Sequence, residues 1–393
     1  MKFVSLTRAF IRKFARENES SDVNLSGPKF KIPLNLKGEA IETRVGFKKN
    51  DKSPFYDSDI GNLYHIYHDY SDSEEFHQGL LYADVVGIRT ENTIAIRKEA
   101  IDATNLKITV DPISYKLPIT IKEHGEYAIE CFKELGKISK LNDEWENNES
   151  LKVVDVSTDS NSITCRKACY FDQIATNLTL DWRSKKLPDN RQTIRNSIEK
   201  PISGRLKTLR DSNLANTLGV AVMLYNSQFE PYVRIRSDSL AAIPKKGLHC
   251  SASGVFEMEG GIQSGEYDYS IIEKGIEREI KTEIGIDRGD YSLYPVAFAR
   301  ELPRGGKPQL FFIAITDLCD SDIVDKSKTA EESWEFIDES DLEDHESKSG
   351  FKATSDIENL IDQFTYEGWA CLQFSEDFLE ANKSALGLDQ KET

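Results

Sequence analysis

The chain has 393 residues, a length that suits two domains or one domain with large additions. Hydrophobic residues make up 39% and charged residues 30%, the balance of a globular protein rather than of a disordered or membrane-embedded chain. A formal net charge of −17 works against a broad electrostatic footprint on nucleic acid, while leaving room for a local basic pocket around a phosphorylated small molecule.

In chain order, residues 1–24 form an N-terminal extension. Met1 to Phe14 is basic and amphipathic, but charges interrupt it before the apolar centre of a signal peptide forms. No apolar run approaches the ~20 residues needed to span a bilayer. A cytoplasmic location is expected, with the six cysteines as free thiols. Cys165 and Cys169 are spaced C-x3-C with no histidine or second cysteine pair nearby, which is not a zinc-site pattern. Tyr64-His65-Ile66-Tyr67-His68-Asp69-Tyr70 brings two histidines beside an aspartate, and reads as a surface aromatic segment in preference to a metal site.

A mixed α/β domain is expected over 25–185. Ala83–Arg89 and Thr93–Arg97 bracket Thr90-Glu91-Asn92 as a hairpin, and Leu151–Val156 and Ser162–Tyr170 bracket a second around Thr158–Asn161. Residues 121–141 read as a helix with Ala128, Ile129, Phe132 and Leu135 on one side. The polar stretch from Trp182 to Gln192 contains Pro188 and reads as a linker, assigned to 186–213.

A β-rich region then begins. Thr217–Tyr225 is a continuous apolar run, Pro231–Arg236 alternates, and Asn226-Ser227-Gln228 between them carries turn chemistry. Leu293–Ala299 and Gln309–Thr316 read as strands joined by the turn Pro303–Pro308, with a further strand at Ser333–Ile337. Between the two pairs lies a helix. Ser270 with Glu273 matches a capping box, S-x-x-E. Ile272, Ile276, Ile280 and Ile284 recur every four residues as an apolar stripe. Gly275, one turn before Glu279, offers no side chain and so would let a loop backbone approach closely. Gly285 stands where the helix should stop. Residues 346–393 form a C-terminal helical segment.

Glu279 and Glu283 project from one face of that helix. Two carboxylates so placed are either a seat for a hard divalent cation or two solvated charges on an ordinary surface helix. The run Arg278-Glu279-Ile280-Lys281-Thr282-Glu283-Ile284-Gly285-Ile286 resembles the second half of the signature of the Nudix hydrolases, G-x5-E-x7-R-E-U-x-E-E-x-G-U, where U is aliphatic. Thr282 stands at the first glutamate of the family's Glu-Glu pair, and Ser270 at its loop glutamate. The opening glycine is matched to Gly254, with an insertion at Glu259–Asp268 before the helix.

The resemblance covers 214–345. It implies an α+β protein in which a Nudix-like α/β/α sandwich follows the mixed N-terminal domain. It implies a hydrolase that cleaves the diphosphate linkage of a nucleoside diphosphate bonded to another moiety, with Mg²⁺ or Mn²⁺ as cofactor. The substrate would be a small nucleotide-derived phosphate ester, with neither nucleic acid nor membrane as partner. Carried over by position, Glu279 and Glu283 would be metal ligands together with a backbone carbonyl at Gly254. Arg278 would orient a carboxylate of the box. A further acid from a later loop would be Glu332 or its neighbour Glu331, with simple loop charge as the equal alternative. Arg236 and Arg300 would bind phosphate, chosen from a set that includes Arg234, Lys245, Lys246 and Arg304. Phe298 and Phe312 read as core. Three other readings stay open: a Nudix-fold module that binds a nucleotide without hydrolysis, a diphosphate isomerase using Cys250, and a scaffold whose active part is the N-terminal domain.

Overall fold

A computed structural model of the chain describes residues 55–57, 63–141, 143–184, 193–235, 247–258, 260–330, 335–336, 349–352 and 363–387. The chain is a mixed α+β protein built on a central sheet, which has ten strands among the described residues. At its centre runs Gly219–Tyr225, buried at every position. A strand covered on both faces must be apolar throughout, which explains the uninterrupted Val-Ala-Val-Met-Leu sequence. Val220, Val222 and Leu224 pack with the Ser270–Glu283 helix, here called the carboxylate helix. Ala221, Met223 and Tyr225 pack on the opposite side with Tyr366–Ala381, the C-terminal helix.

Lys307–Thr316 runs parallel to Gly219–Tyr225 on one side. On the other side lie Pro231–Ile235 and, further along, Ala252–Val255, both antiparallel to it. Lys307–Thr316 also pairs antiparallel with Tyr291–Glu301 through the turn at Leu302–Gly306, close to the hairpin expected from sequence. The isoleucine stripe of the carboxylate helix is fully covered, at 1% exposure or less for Ile272, Ile276, Ile280 and Ile284. Each such side chain contributes about 1.5–3 kcal/mol relative to exposure. Phe298 and Phe312 are buried in the same apolar layer.

The first half of the chain departs from its sequence reading in informative ways. Glu149–Ser157 and Ser162–Cys169 do form the expected hairpin. Thr93–Arg97, however, is not a strand. Tyr82–Arg89 pairs instead with Tyr291–Glu301 and with Ala100–Asp102, and so extends the central sheet. The backbone of Ile94 is satisfied by the side chain of Asn382, which accepts from its N–H at 2.6 Å and donates to its carbonyl at 3.1 Å. With those groups taken, no hairpin partner is required. The helix expected over 121–141 covers Lys122–Glu134, stops at the positive φ of Gly136, and leaves Leu135 exposed.

Pairing also runs the other way. Gly265–Tyr267, within the insertion before the carboxylate helix, joins Lys107–Asp111 as the outer strand of a second, four-stranded sheet. Both sheets are therefore built from residues on either side of 186–213. Where that stretch is described it is anchored. Arg195 is 1% exposed and makes a bidentate pair with Asp181, both contacts at 2.6 Å. It also donates to Tyr67 Oη and to the carbonyls of Leu302 and Pro303, tying the turn of the central hairpin to the rest. The strand expected at Ser333–Ile337 is represented by Glu335–Phe336, its other residues lying outside the described set. No helix among the described residues is long and apolar enough to cross a membrane.

Removing Asp181 leaves the Arg195 charge buried without its counter-ion. Asp181→Ala should lower unfolding free energy by about 3–5 kcal/mol, measured by chemical denaturation. A loss below ~1 kcal/mol would show that Tyr67 and the two carbonyls suffice to hold the guanidinium.

Candidate functional site

The carboxylate helix begins one residue earlier than a Ser270 cap implies. Ser270 is the first helical residue, and Asp268 accepts from both its backbone N–H (2.9 Å) and its hydroxyl. The anionic side chain thus sits just before the helix start, where the partial positive charge favours it. The far end follows the sequence reading. Gly285 has φ +84°, its N–H reaches the carbonyls of Ile280 and Lys281, and a Cβ there would lie 2.3 Å from the Lys326 carbonyl oxygen. Glycine meets both demands, the left-handed backbone and the close contact.

Along the helix, Glu279 turns toward the backbone of Gly254. A Cβ on Gly254 would stand 2.4 Å from Glu279 Oε2, so the strand passes directly over the carboxylate. Gly275 serves a different neighbour from the one expected: its missing side chain admits the ring of Phe256, 2.5 Å from where a Cβ would be, rather than a loop backbone. Arg278 Nη2 donates to Glu257 Oε2 at 3.0 Å and to Glu279 Oε1 at 3.4 Å. Glu257 Oε1 accepts at 2.8 Å from Asn148, the residue just before the Glu149–Ser157 strand of the second sheet. Glu283 is 5% exposed. Its Oε2 accepts from the Ser253 N–H at 2.7 Å, and its Oε1 lies 2.5 Å from Arg234 Nη1 in an ion pair.

The two helix carboxylates therefore differ. Glu283 has a buried guanidinium and a backbone donor, one for each oxygen. The side chain of Glu279 is 16% exposed and, among the described residues, has only the shared, longer contact with Arg278. Burial, with the Glu283 charge second, pushes its carboxyl up to about 8. Three carboxylates, Glu257, Glu279 and Glu283, share two guanidiniums, Arg278 and Arg234. An oxygen-only donor set with more carboxylates than guanidiniums suits a hard divalent ion such as Mg²⁺ or Mn²⁺, which would displace the Glu279 proton. The under-neutralised Glu279, not the saturated Glu283, is the group with most to gain from it.

Other positions singled out from sequence fall as follows. Arg236, Lys245, Lys246, Glu331 and Glu332 lie outside the described residues. Arg300 does not stand free for phosphate. It is held by Asp84 at 2.8 Å and by the carbonyls of Lys207 (2.7 Å) and Gly306 (3.4 Å), which fixes it as a buried tie between strands. Arg304 pairs with Glu301 at 3.3 Å. Thr282 is half-buried. Cys250 is buried in the layer of the C-terminal helix, on the other side of the sheet from the isoleucine stripe. The six cysteines are all free. Glu257 was missed by sequence reasoning. It follows Gly254 by three residues, a spacing with no motif behind it, and only the fold brings it to Arg278.

No protein family model matches the chain, and no curated protein matches it. Among solved structures it is similar to the protein DR0079 from Deinococcus radiodurans, at 20% identity, with a TM-score of 0.21. That match covers 26% of this chain and 57% of the other, so it spans little more than half of that protein. A likeness at this level decides neither fold nor function.

The elevated Glu279 pKa has a signed consequence. The folded chain holds this proton up to about 8, whereas an unfolded glutamate releases it near its ordinary value of 4.5. Its contribution is thus fully present below the unfolded value and is lost as pH rises through the folded one. Without divalent metal, Glu279→Gln should match wild type near pH 4. It should become the more stable protein by about 3 °C or more in Tm at pH 8. Added Mg²⁺ or Mn²⁺ should stabilise wild type and narrow the gap. A pH-independent difference would show that Glu279 is solvated.

Proposed function

We propose that the chain is a metal-dependent hydrolase of the Nudix type, which cleaves the diphosphate linkage of a nucleoside diphosphate joined to another moiety. The observation that carries this reading is the Glu279 carboxylate, buried under Gly254 beside Glu283 and short of cationic partners. The partial signature at 278–286 and the sheet enclosed by two helices support it. Glu279 and Glu283, with the Gly254 backbone alongside, would hold Mg²⁺ or Mn²⁺. Such an ion neutralises a diphosphate and lowers the pKa of a bound water.

The chain's own groups do the rest. Arg234 and the Ser253 N–H hold Glu283 in one orientation. Arg278 keeps Glu257 and Glu279 side by side through charge-assisted bonds, and Asn148, at the edge of the second sheet, fixes Glu257. No phosphate-binding role is assigned to Arg300, whose donors are already engaged. The enclosed position of Glu279 limits water around it, which strengthens any electrostatic interaction made there.

A second reading, a nucleotide-binding module on the same architecture, is favoured by one observation. Both oxygens of Glu283 are already engaged, and Thr282 supplies no carboxylate beside it. The two readings part on product. A panel of nucleotide sugars, dinucleotides and reduced nicotinamide dinucleotide, incubated with Mg²⁺ or Mn²⁺, should yield monophosphate products. Glu279→Gln should lower that release on the order of 10²-fold, the scale of losing one preorganised electrostatic group. Saturable nucleotide binding with no monophosphate would select the binding module instead. Thr282→Glu should tighten Mn²⁺ binding under either reading, by calorimetry. Unchanged affinity would place residue 282 away from the ion.

A further inference from the structure

We propose that Arg278 is a substrate-binding residue, which presents to a diphosphate oxygen the guanidinium nitrogens that it does not spend on carboxylates. The proposal rests on the reading of Glu279 as a metal-held diphosphate site, and it supplies the cation that such a site needs. The sequence points to Arg236 and Arg300 for phosphate. Arg300 is engaged elsewhere, and Arg236 lies outside the described residues.

Side-chain exposure separates the guanidiniums around the central sheet. Arg234, paired with Glu283, keeps 3% of its side chain exposed, and Arg300 keeps 6%. Arg278 keeps 39%. Both of its carboxylate contacts run through one nitrogen: Nη2 donates to Glu257 at 3.0 Å and to Glu279 at 3.4 Å. Among the described residues, Nε and Nη1 have no hydrogen-bond or ion-pair partner. Arg195, whose task is structural, behaves differently and grips Asp181 with two nitrogens. An arginine needed only to orient carboxylates gains most from that two-pronged grip. Arg278 instead leaves most of its planar fork of donors to solvent, and that fork matches two oxygens of one phosphate.

The position suits the role. Arg278 Nη2 already lies within 3.4 Å of Glu279 Oε1. Neighbouring ligands of an octahedral ion stand about 3 Å apart, given bonds of about 2.1 Å. An oxygen that shares an ion with Glu279 therefore falls within reach of the fork. The same ion offsets the carboxylates that would otherwise repel a phosphate. One turn before Arg278, Lys274 lies on the same helix face and is exposed. Two cations four residues apart repel each other mildly, and an anion between them relieves the repulsion.

The probe is methylenediphosphonate, a diphosphate analogue whose bridging carbon resists hydrolysis, titrated by calorimetry into the full chain with saturating Mn²⁺. Mn²⁺ affinity is measured separately. Arg278→Lys keeps the charge and loses the fork. It should weaken diphosphonate binding about 10-fold or more, the scale of a charge-assisted hydrogen bond, and leave Mn²⁺ affinity unchanged. An equal loss of both affinities would show that Arg278 only orients the carboxylates, and overturns the proposal. Unchanged diphosphonate affinity in the variant overturns it too, as does a wild type that binds no diphosphonate. If Arg278→Lys folds poorly, phenylglyoxal modification of wild type, mapped by mass spectrometry, decides. Diphosphonate with Mn²⁺ should protect Arg278, and undiminished modification overturns the proposal. Binding that depends on Arg278, with no monophosphate from the substrate panel, would remove hydrolysis and leave this role standing.

Discussion

The burial of Gly219–Tyr225 on both faces governs the arrangement of everything polar around it. Because that strand sits between two helix layers, its neighbour Ala252–Val255 inherits the same alternation. Gly254 lies across from Val220 on the side of the carboxylate helix, and Ser253 lies across from Ala221 on the side of the C-terminal helix. One short strand thus separates two clusters of ionisable groups and also joins them. The Ser253 N–H holds Glu283, and the Ser253 hydroxyl meets His249. A one-residue slip in register would exchange these roles and put Ser253 over the Glu279 carboxylate, where Gly254 has no side chain to obstruct it.

The second sheet gives the insertion before the carboxylate helix a physical purpose. Its residues 265–267 become a strand against Lys107–Asp111. The Ile262 N–H donates to Glu149 at 3.0 Å, and Ser150 donates to the Phe256 carbonyl at 2.8 Å. A loop held at several points by one rigid sheet carries its side chains with far less freedom than a solvated loop. Glu257 benefits most, since Asn148 and Arg278 grip one oxygen each. A carboxylate missing from the helix, at Thr282, is thereby balanced by one arriving from the loop. The electrostatic outcome is a cluster of three carboxylates and two guanidiniums, in which burial keeps the proton on Glu279.

Much of the local architecture was legible in the residues. The isoleucine period, the glycine at 285, the apolar run at 217–225 and the hairpin around 158–161 each follow from short-range stereochemistry, which a sequence states directly. The glutamates at 279 and 283 share a helix face for the same reason. Where local signals misled, a distant partner had taken over. Asp268 accepts from the helix start in place of the Ser270 cap, Asn382 satisfies the backbone that a 93–97 strand would have used, and Asp84 with two carbonyls occupies Arg300.

The sequence by itself determined the strands at Gly219–Tyr225, Pro231–Ile235, Tyr291–Glu301 and Lys307–Thr316, the carboxylate helix between them, and that two carboxylates lie one turn apart. These depend on periodicities of 2 and 3.6 residues within a single segment. Tertiary structure alone decided that Glu257 meets Arg278, that Arg234 neutralises Glu283 while Glu279 goes short, and that His249 and Cys250 face Glu367 more than a hundred positions away. Contacts of that kind depend on which strands pair and in what register. Those choices minimise exposed apolar surface and unsatisfied backbone over the whole chain, a sum that no local stretch of sequence contains.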